Sequence, residues 1–258
     1  MRIIVKIGSS SLTHETGKLN LQRIDRLARV LSDLNNRGHE VILVSSGAQV
    51  VGMSKLGLSK KPETLQEKQA VAAVGQSELM SIYDRTFSGY GYNVGQILLT
   101  KDVFEAKERE QNVINTFNAL LGFRCVPIVN ENDSVEVEEI KFGDNDTLSA
   151  IVAICTKADL LVLLTDIDAL YDSDPNKNPQ AKAIRTVERI DDSIRTLAGD
   201  TISGKGTGGM ITKIHAAEIA TAKGIDMYIA SGSNPDILYD ILDQKPTGTL
   251  FKGKKENI

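Results

Sequence analysis

Short runs of Val, Ile and Leu alternate along the chain with longer stretches in which apolar residues recur every three or four positions. The runs at 3–7, 41–44, 94–99, 125–129, 160–164 and 227–230 are mostly apolar throughout instead of alternating with polar residues. Strands buried on both faces have that pattern, so the runs predict a largely parallel sheet with helices on both sides, an α/β fold. Residues 20–36 place Ile24, Leu27, Val30, Leu31 and Leu34 on one helical face, with Gly38 as the stop signal. Residues 67–83, 107–121, 147–156 and 209–223 read the same way. The segment 134–143 instead alternates Val135, Val137 and Ile140 with acids, which predicts an exposed hairpin or flap.

No linker, repeat or low-complexity tract divides the 258 residues, which predicts one domain with at most two lobes. Lys and Arg number 30 against 34 Asp and Glu, a net charge of -4. That balance offers no basic field for a phosphate backbone and argues against nucleic acid as a main partner. The N-terminus MRIIVKIGSS is interrupted by Lys6 well short of the ~7–15 apolar residues of a signal peptide, and no run approaches the ~18 of a membrane span. A cytoplasmic protein is expected, with no membrane partner. Cys125 and Cys155 lie in apolar runs and are expected to be buried and reduced. Three His residues with no close Cys/His spacing give no zinc pattern.

Several patterns fail on context. Gly204, Gly206 and Gly209 spell G-x-G-x-x-G, but 191–197 before them reads as helix, whereas a dinucleotide fingerprint follows a strand. Gly199, Gly204 and Lys205 nearly make a P-loop, yet Gly206 stands where the Ser or Thr belongs. Asp172, Asp174 and Asn176 start like a calcium loop, but Lys177 replaces its turn Gly and Ala183 its bidentate Glu.

Other segments carry chemistry. The first strand ends in Lys6-Ile7-Gly8-Ser9-Ser10, a cation followed by a Gly/Ser turn whose N–H groups can form an anion nest. Ligands of open α/β sheets sit at that carboxyl edge. The second strand ends in Ser45-Ser46-Gly47, suited to a carboxylate or simply a βα turn. The fourth runs into Asn130-Glu131-Asn132-Asp133. Asp144, Asn145 and Asp146 open a helix, where they can cap it, hold a substrate ammonium, or steer metals and lysines. Thr165-Asp166 ends a further strand. Thr207-Gly208-Gly209-Met210-Ile211-Thr212-Lys213 is a glycine-rich loop entering a helix, a phosphate site by backbone geometry with Lys213 as a second mobile cation. Two lysines from opposite ends of the chain, an anion nest and carboxylates without a nucleophile are the kit for phosphoryl transfer by positioning and charge neutralisation.

The motifs KIGSS, VSSGA, VNENDSV, FGDNDTLSA, LLTDIDALY and GTGGMITK, in this order and over essentially the whole chain, resemble the amino acid kinase superfamily, and within it the kinases of glutamate. The resemblance implies a three-layer αβα sandwich with an open, mostly parallel sheet of about eight strands. It implies one kinase domain over 1–258, with an acceptor lobe over about 1–155 and a nucleotide lobe over about 156–258; many bacterial members continue into a C-terminal PUA domain, and the expectation that this chain has none is a departure from that pattern. It implies transfer of a phosphoryl group from ATP, with Mg²⁺, to the γ-carboxylate of L-glutamate, the first step toward proline, with proline as a feedback inhibitor and a homo-oligomer, dimer or tetramer, as the assembly. By position it makes Lys6, Lys213 and Asp146 catalytic, with Asp146 holding both lysines. Ser46, Asp133 and Asn145 match glutamate-binding positions, joined by Gly47 and Asn130. Lys6, Gly8, Thr165, Asp166 and Thr207 to Lys213 match the ATP site, and no metal ligand is assigned. Two rival readings stand: a sibling kinase for another small acid such as aspartate or acetylglutamate, and a silent amino acid sensor on the same fold.

Overall fold

The chain enters the sheet at once with β1 (Arg2–Ile7), turns through the short α1 (Ser9–Leu12), and crosses back along α2 (Leu21–Asn36) to β2 (Glu40–Ser45). Two helices follow, α3 (Ala48–Leu56) and α4 (Leu65–Ser88), then β3 (Val94–Leu99), α5 (Lys107–Gly122) and β4 (Val126–Glu131). The second half contains α6 (Asn145–Cys155), β5 (Leu160–Thr165), the short β6 (Leu170–Tyr171), β7 (Ala183–Ile184) and β8 (Thr186–Val187), and α7 (Asp192–Asp200). It closes with α8 (Met210–Thr221), β9 (Asp226–Ser231), α9 (Ile237–Leu242) and β10 (Thr249–Phe251). This computed structural model describes residues 1–135, 144–175, 177–200 and 209–254. The flap expected at 134–143 lies outside the described residues from 136 onward, as do Thr207, Gly208 and the glycines at 204 and 206.

Eight strands form one sheet in the order β3-β4-β2-β1-β5-β9-β10-β8. All neighbours are parallel except β9 and β10. The strand order reverses at β1, which pairs with β2 on one side and β5 on the other. The period of two divides β1 between two cores. Ile3, Val5 and Ile7 join α2, α4 and α9 on one face, while Ile4 joins α5, α6 and α8 on the other. Lys6 shares the face of Ile4 and therefore points toward α6 and α8.

Six expected strands are present with ends shifted by at most two residues. The differences have local causes. Helix α4 begins at Leu65, two residues before the expected start, because Thr64 and Glu67 form a capping box, a T-x-x-E signal. Helix α6 begins at Asn145 because Asp144 accepts from the Thr147 N–H at 2.8 Å. Helices α3 and α9 were not expected. The first is short, with Gly52 lowering its helix propensity, and is held by packing on α4. Cys125 and Cys155 are free thiols as expected but half-buried, not buried. Cys125 follows the positive-φ turn at Arg124 beside exposed Phe123. Cys155 ends α6 facing Glu110, and burial together with that carboxylate pushes its thiol up to about 12. No described helix is long and apolar enough to cross a membrane.

Candidate active site

The sequence-predicted residues gather at the carboxyl edge of the sheet around the switch at β1 and β5. Lys6, on the penultimate residue of β1, places its Nζ 2.6 Å from Oδ1 of Asp146. Lys213, in the first turn of α8, places its Nζ 3.3 Å from the other oxygen, Oδ2. The Thr212 hydroxyl lies 2.9 Å from that same Oδ2. One carboxylate thus bridges two ammonium groups brought from positions 207 residues apart. Asp146 is 0% exposed, Lys213 2% and Lys6 8%. Burial alone would raise the Asp146 pKa, but Lys6, Lys213 and the Thr212 hydroxyl outweigh it and hold the carboxyl below its usual range. Two cations on one anion leave this trio with one net positive charge.

Asp144 divides its role from Asp146 by two residues of helix. It caps α6, and its carboxyl is pushed upward by burial and by the Asp146 charge, against the opposing pull of the Thr147 N–H and Lys6. Of the three readings open for this segment, capping therefore falls on Asp144 and steering of lysines on Asp146.

Asn145, between them, faces the other way, into a second cluster. Its Nδ2 lies 2.8 Å from Ser46 Oγ, 2.9 Å from Asn130 Oδ1 and 3.4 Å from the Ser45 carbonyl. Asn130 in turn donates from Nδ2 to Oε1 of Gln76 at 2.9 Å. Gly47, at φ +110, makes the turn from β2 into α3 beside Ser46, a conformation that favours glycine. Asp133 is half-buried on the turn after β4. The two clusters are contiguous because residues 145 and 146 adjoin on α6.

The nest after β1 is smaller than expected, because the Gly8 N–H is taken by the Leu164 carbonyl at 3.2 Å; on the turn after β2, the Ser46 N–H is likewise taken by the Ile7 carbonyl. Thr165 ends β5 and Asp166 follows it, with the Thr165 hydroxyl 2.9 Å from Asp166 Oδ1. Gly209 is the N-cap of α8, followed by buried Met210 and exposed Ile211. Among the described residues, the hydrogen bonds and ion pairs tie neither Thr165 nor Asp166 to the two clusters; they share only the sheet edge.

Sequence reasoning missed Gln76 and Tyr83, which lies two turns further along α4. The buried Tyr83 hydroxyl lies 2.7 Å from Ser45 Oγ, and burial raises its pKa. Gly75 signals a close helix contact, since a Cβ there would stand 1.7 Å from the Ala48 carbonyl oxygen, but it does not mark Gln76 or Tyr83 themselves.

The amino acid kinase family model matches residues 1–231. A glutamate 5-kinase of Clostridium perfringens is 54% identical, the alignment covering 98% of this chain and 96% of that protein. One from Enterococcus faecalis is 50% identical over 99% of this chain and 96% of that protein. A longer glutamate 5-kinase from a Thermoanaerobacter species is 48% identical over all of this chain and 69% of its own length. Among solved structures, carbamate kinase from Giardia lamblia bound to AMP-PNP superposes with a TM-score of 0.68 at 17% identity, over 98% of both chains. An isopentenyl phosphate kinase from T. acidophilum superposes with a TM-score of 0.66 at 17% identity, over 98% of this chain and all of that one, and both likenesses concern the fold alone. The order of motifs, the eight-stranded sheet and these matches agree, and the chain belongs to the amino acid kinase family.

Proposed function

We propose that the protein transfers the γ-phosphoryl group of MgATP to the γ-carboxylate of L-glutamate, giving L-glutamyl 5-phosphate and ADP. The observation that carries the chemistry is the bridge of Lys6 and Lys213 across Asp146. A phosphoryl group in flight spreads negative charge over its oxygens, and preorganised cations at that point lower the barrier without a proton transfer. A carboxylate acceptor with a pKa of about 4.3 is already ionised at neutral pH, so the reaction needs no general base. The absence of any base role in the cluster fits: Asp146 is committed to two lysines. The glutamate 5-kinase relatives supply the acceptor. The Ser46, Asn130 and Asn145 cluster, with Asp133, offers hydroxyl and amide groups for a carboxylate and oxygens for an α-ammonium. Thr165, Asp166 and Gly209 to Lys213 are assigned to the nucleotide, together with Thr207 and Gly208. Magnesium enters as the salt of ATP, its ligands supplied chiefly by phosphate oxygens. Proline carries the same α-carboxylate and a charged nitrogen, so it is expected to compete with glutamate for these groups.

The test is ADP release with MgATP and a panel of L-glutamate, N-acetyl-L-glutamate, L-aspartate and UMP, with hydroxylamine present. Glutamate-dependent ADP with a matching yield of γ-glutamyl hydroxamate is the expected result. Turnover only with another acceptor would move the substrate, and glutamate binding without turnover would make the protein a sensor.

A further inference from the structure

The amide cluster has a direction, and a residue outside the predicted site completes it. A backbone carbonyl can only accept, so the approach of Asn145 Nδ2 to the Ser45 carbonyl requires Asn145 to turn its NH₂ inward. Asn130 must then present Oδ1 to that NH₂ and point its own Nδ2 away, where it meets Oε1 of Gln76. Gln76 is 8% exposed and Asn130 4%. An amide turned the wrong way here would face donor to donor in a buried place, leaving buried donors unsatisfied. The relay has two consequences at its outer end. Asn145 Oδ1 is left as an acceptor, the polarity an ammonium needs. Ser46 Oγ accepts from Asn145, which leaves its proton to be donated, the polarity a carboxylate needs.

Gln76 is held in place by the close approach of two helices. A Cβ on the adjacent Gly75 would stand 1.7 Å from the Ala48 carbonyl oxygen, and one on Gly52 would stand 1.9 Å from that of Val71. Helix α4 therefore lies directly against α3, whose N-terminus begins after Ser46 and Gly47.

We propose that Gln76 is a positioning residue for the acceptor pocket: by accepting from Asn130 Nδ2, its Oε1 holds Asn130 in the orientation that the Asn145 NH₂ requires, and so supports the donor and acceptor polarity of Asn145 and Ser46 toward the amino acid. The inference rests on the proposed function for the identity of that amino acid. Wild-type turnover of the acceptor panel tests that reading first. If a different acceptor is used, glutamate falls as the substrate, and the comparison below is made with the acceptor that turns over.

The variants are Gln76→Met, which keeps the length but removes the acceptor oxygen, and Gln76→Glu, which keeps an oxygen at that position. Gln76→Met is expected to raise KM for glutamate about tenfold, the equivalent of about 1.4 kcal/mol. Its kcat and its KM for ATP should stay within about twofold, an order-of-magnitude margin for a site not touching the reacting atoms. Gln76→Glu should restore KM for glutamate to within about threefold of wild type, since one acceptor is retained. A double-mutant cycle supplies the second readout. In an Asn130→Ala background, Gln76→Met should change KM for glutamate by less than about twofold, because residues acting in series are not additive. Unchanged KM for glutamate in Gln76→Met would overturn the proposal. So would an equal loss in the Met and Glu variants, a parallel rise in KM for ATP, or full additivity with Asn130→Ala.

Discussion

At the scale of single residues, the site depends on how one buried carboxylate is shared. Lys6 is separated from the solvent by the packing of α6 and α8, and its ammonium has Asp146 as its ion-pair partner. If Lys6 follows the phosphoryl group, Lys6→Ala is expected to lower kcat by about 10²–10³-fold, the usual loss when one preorganised donor is removed. Its KM for glutamate should move little. Wild-type turnover in that variant would remove Lys6 from the reaction. Asp146 acts on stability as well. Asp146→Asn leaves two buried ammonium groups without their counter-charge, which costs about 3–5 kcal/mol. At about 2–4 °C per kcal/mol for a chain of this size, Tm should fall by roughly 6–20 °C. The pH dependence follows from the depressed folded pKa. The stabilisation from Asp146 is complete above its unfolded pKa of about 4 and is lost as pH falls through the lower folded value. The Tm gap between wild type and Asp146→Asn should therefore be widest near neutrality and close in acid. A gap independent of pH down to 3, checked by thermal melts, would show that the ion pairs do not carry it.

At the scale of elements, two joints determine whether these residues meet. One is the α3–α4 contact through Gly52 and Gly75. Gly75→Ala pushes a methyl group into backbone, not into a movable side chain, so the helices must separate. Overpacking of this kind costs about 1–3 kcal/mol, sometimes more. The separation also moves Gln76, so KM for glutamate should rise while KM for ATP holds. The other joint is the start of α6. Asp144→Asn keeps a good cap and removes a carboxylate whose pKa is raised by burial and by Asp146. Sign matters here: a raised folded pKa contributes stability below the unfolded pKa and loses it as pH rises through the folded one. Asp144→Asn is thus expected to match or exceed wild-type stability at pH 7, with any advantage vanishing in acid, whereas Asp144→Ala should lose about 0.5–2 kcal/mol of capping. Equal losses for Asn and Ala would refute that reading in urea titrations. The same elements show what was legible in the sequence. The long helices and the six buried strands carry their own periodicity. Helix α3 and strands β6, β7, β8 and β10 are too short to show a period, and exist because neighbours pair with or pack on them.

At the scale of the whole molecule, the site exists because the strand order reverses at β1. Residues 6, 46, 130, 145 and 165 are scattered along the chain, yet each stands at or just past a strand's carboxyl end or at a helix start, so their convergence could be read from motif order and from the rule for open sheets. Gln76 and Tyr83 could not, because nothing local distinguishes a helical Gln that meets an Asn from one that meets water. The same centrality bears on whether the acceptor and nucleotide halves are separable. The register of β1 with β5 runs unbroken from Ile3 with Leu160 to Ile7 with Leu164, and β1 pairs with β2 along its whole length. Each core crosses that line: one joins Ile42 and Val129 to Leu163 and Ile229, the other joins Leu43 and Ile128 to Val162 and Ala230. Helix α6, which ends the first half, packs on β1 and also on α8. A boundary near residue 155 therefore falls inside a shared core, and neither half can lose its structure without exposing apolar surface of the other. Calorimetry is expected to show one endotherm with matching calorimetric and van't Hoff enthalpies. Saturating MgATP, which binds the folded state, should shift that whole endotherm to higher temperature, through about 2.7 kcal/mol of added stability at 100 times its Kd. Two endotherms, with MgATP moving only one, would instead establish two independent lobes that merely dock at the sheet's centre.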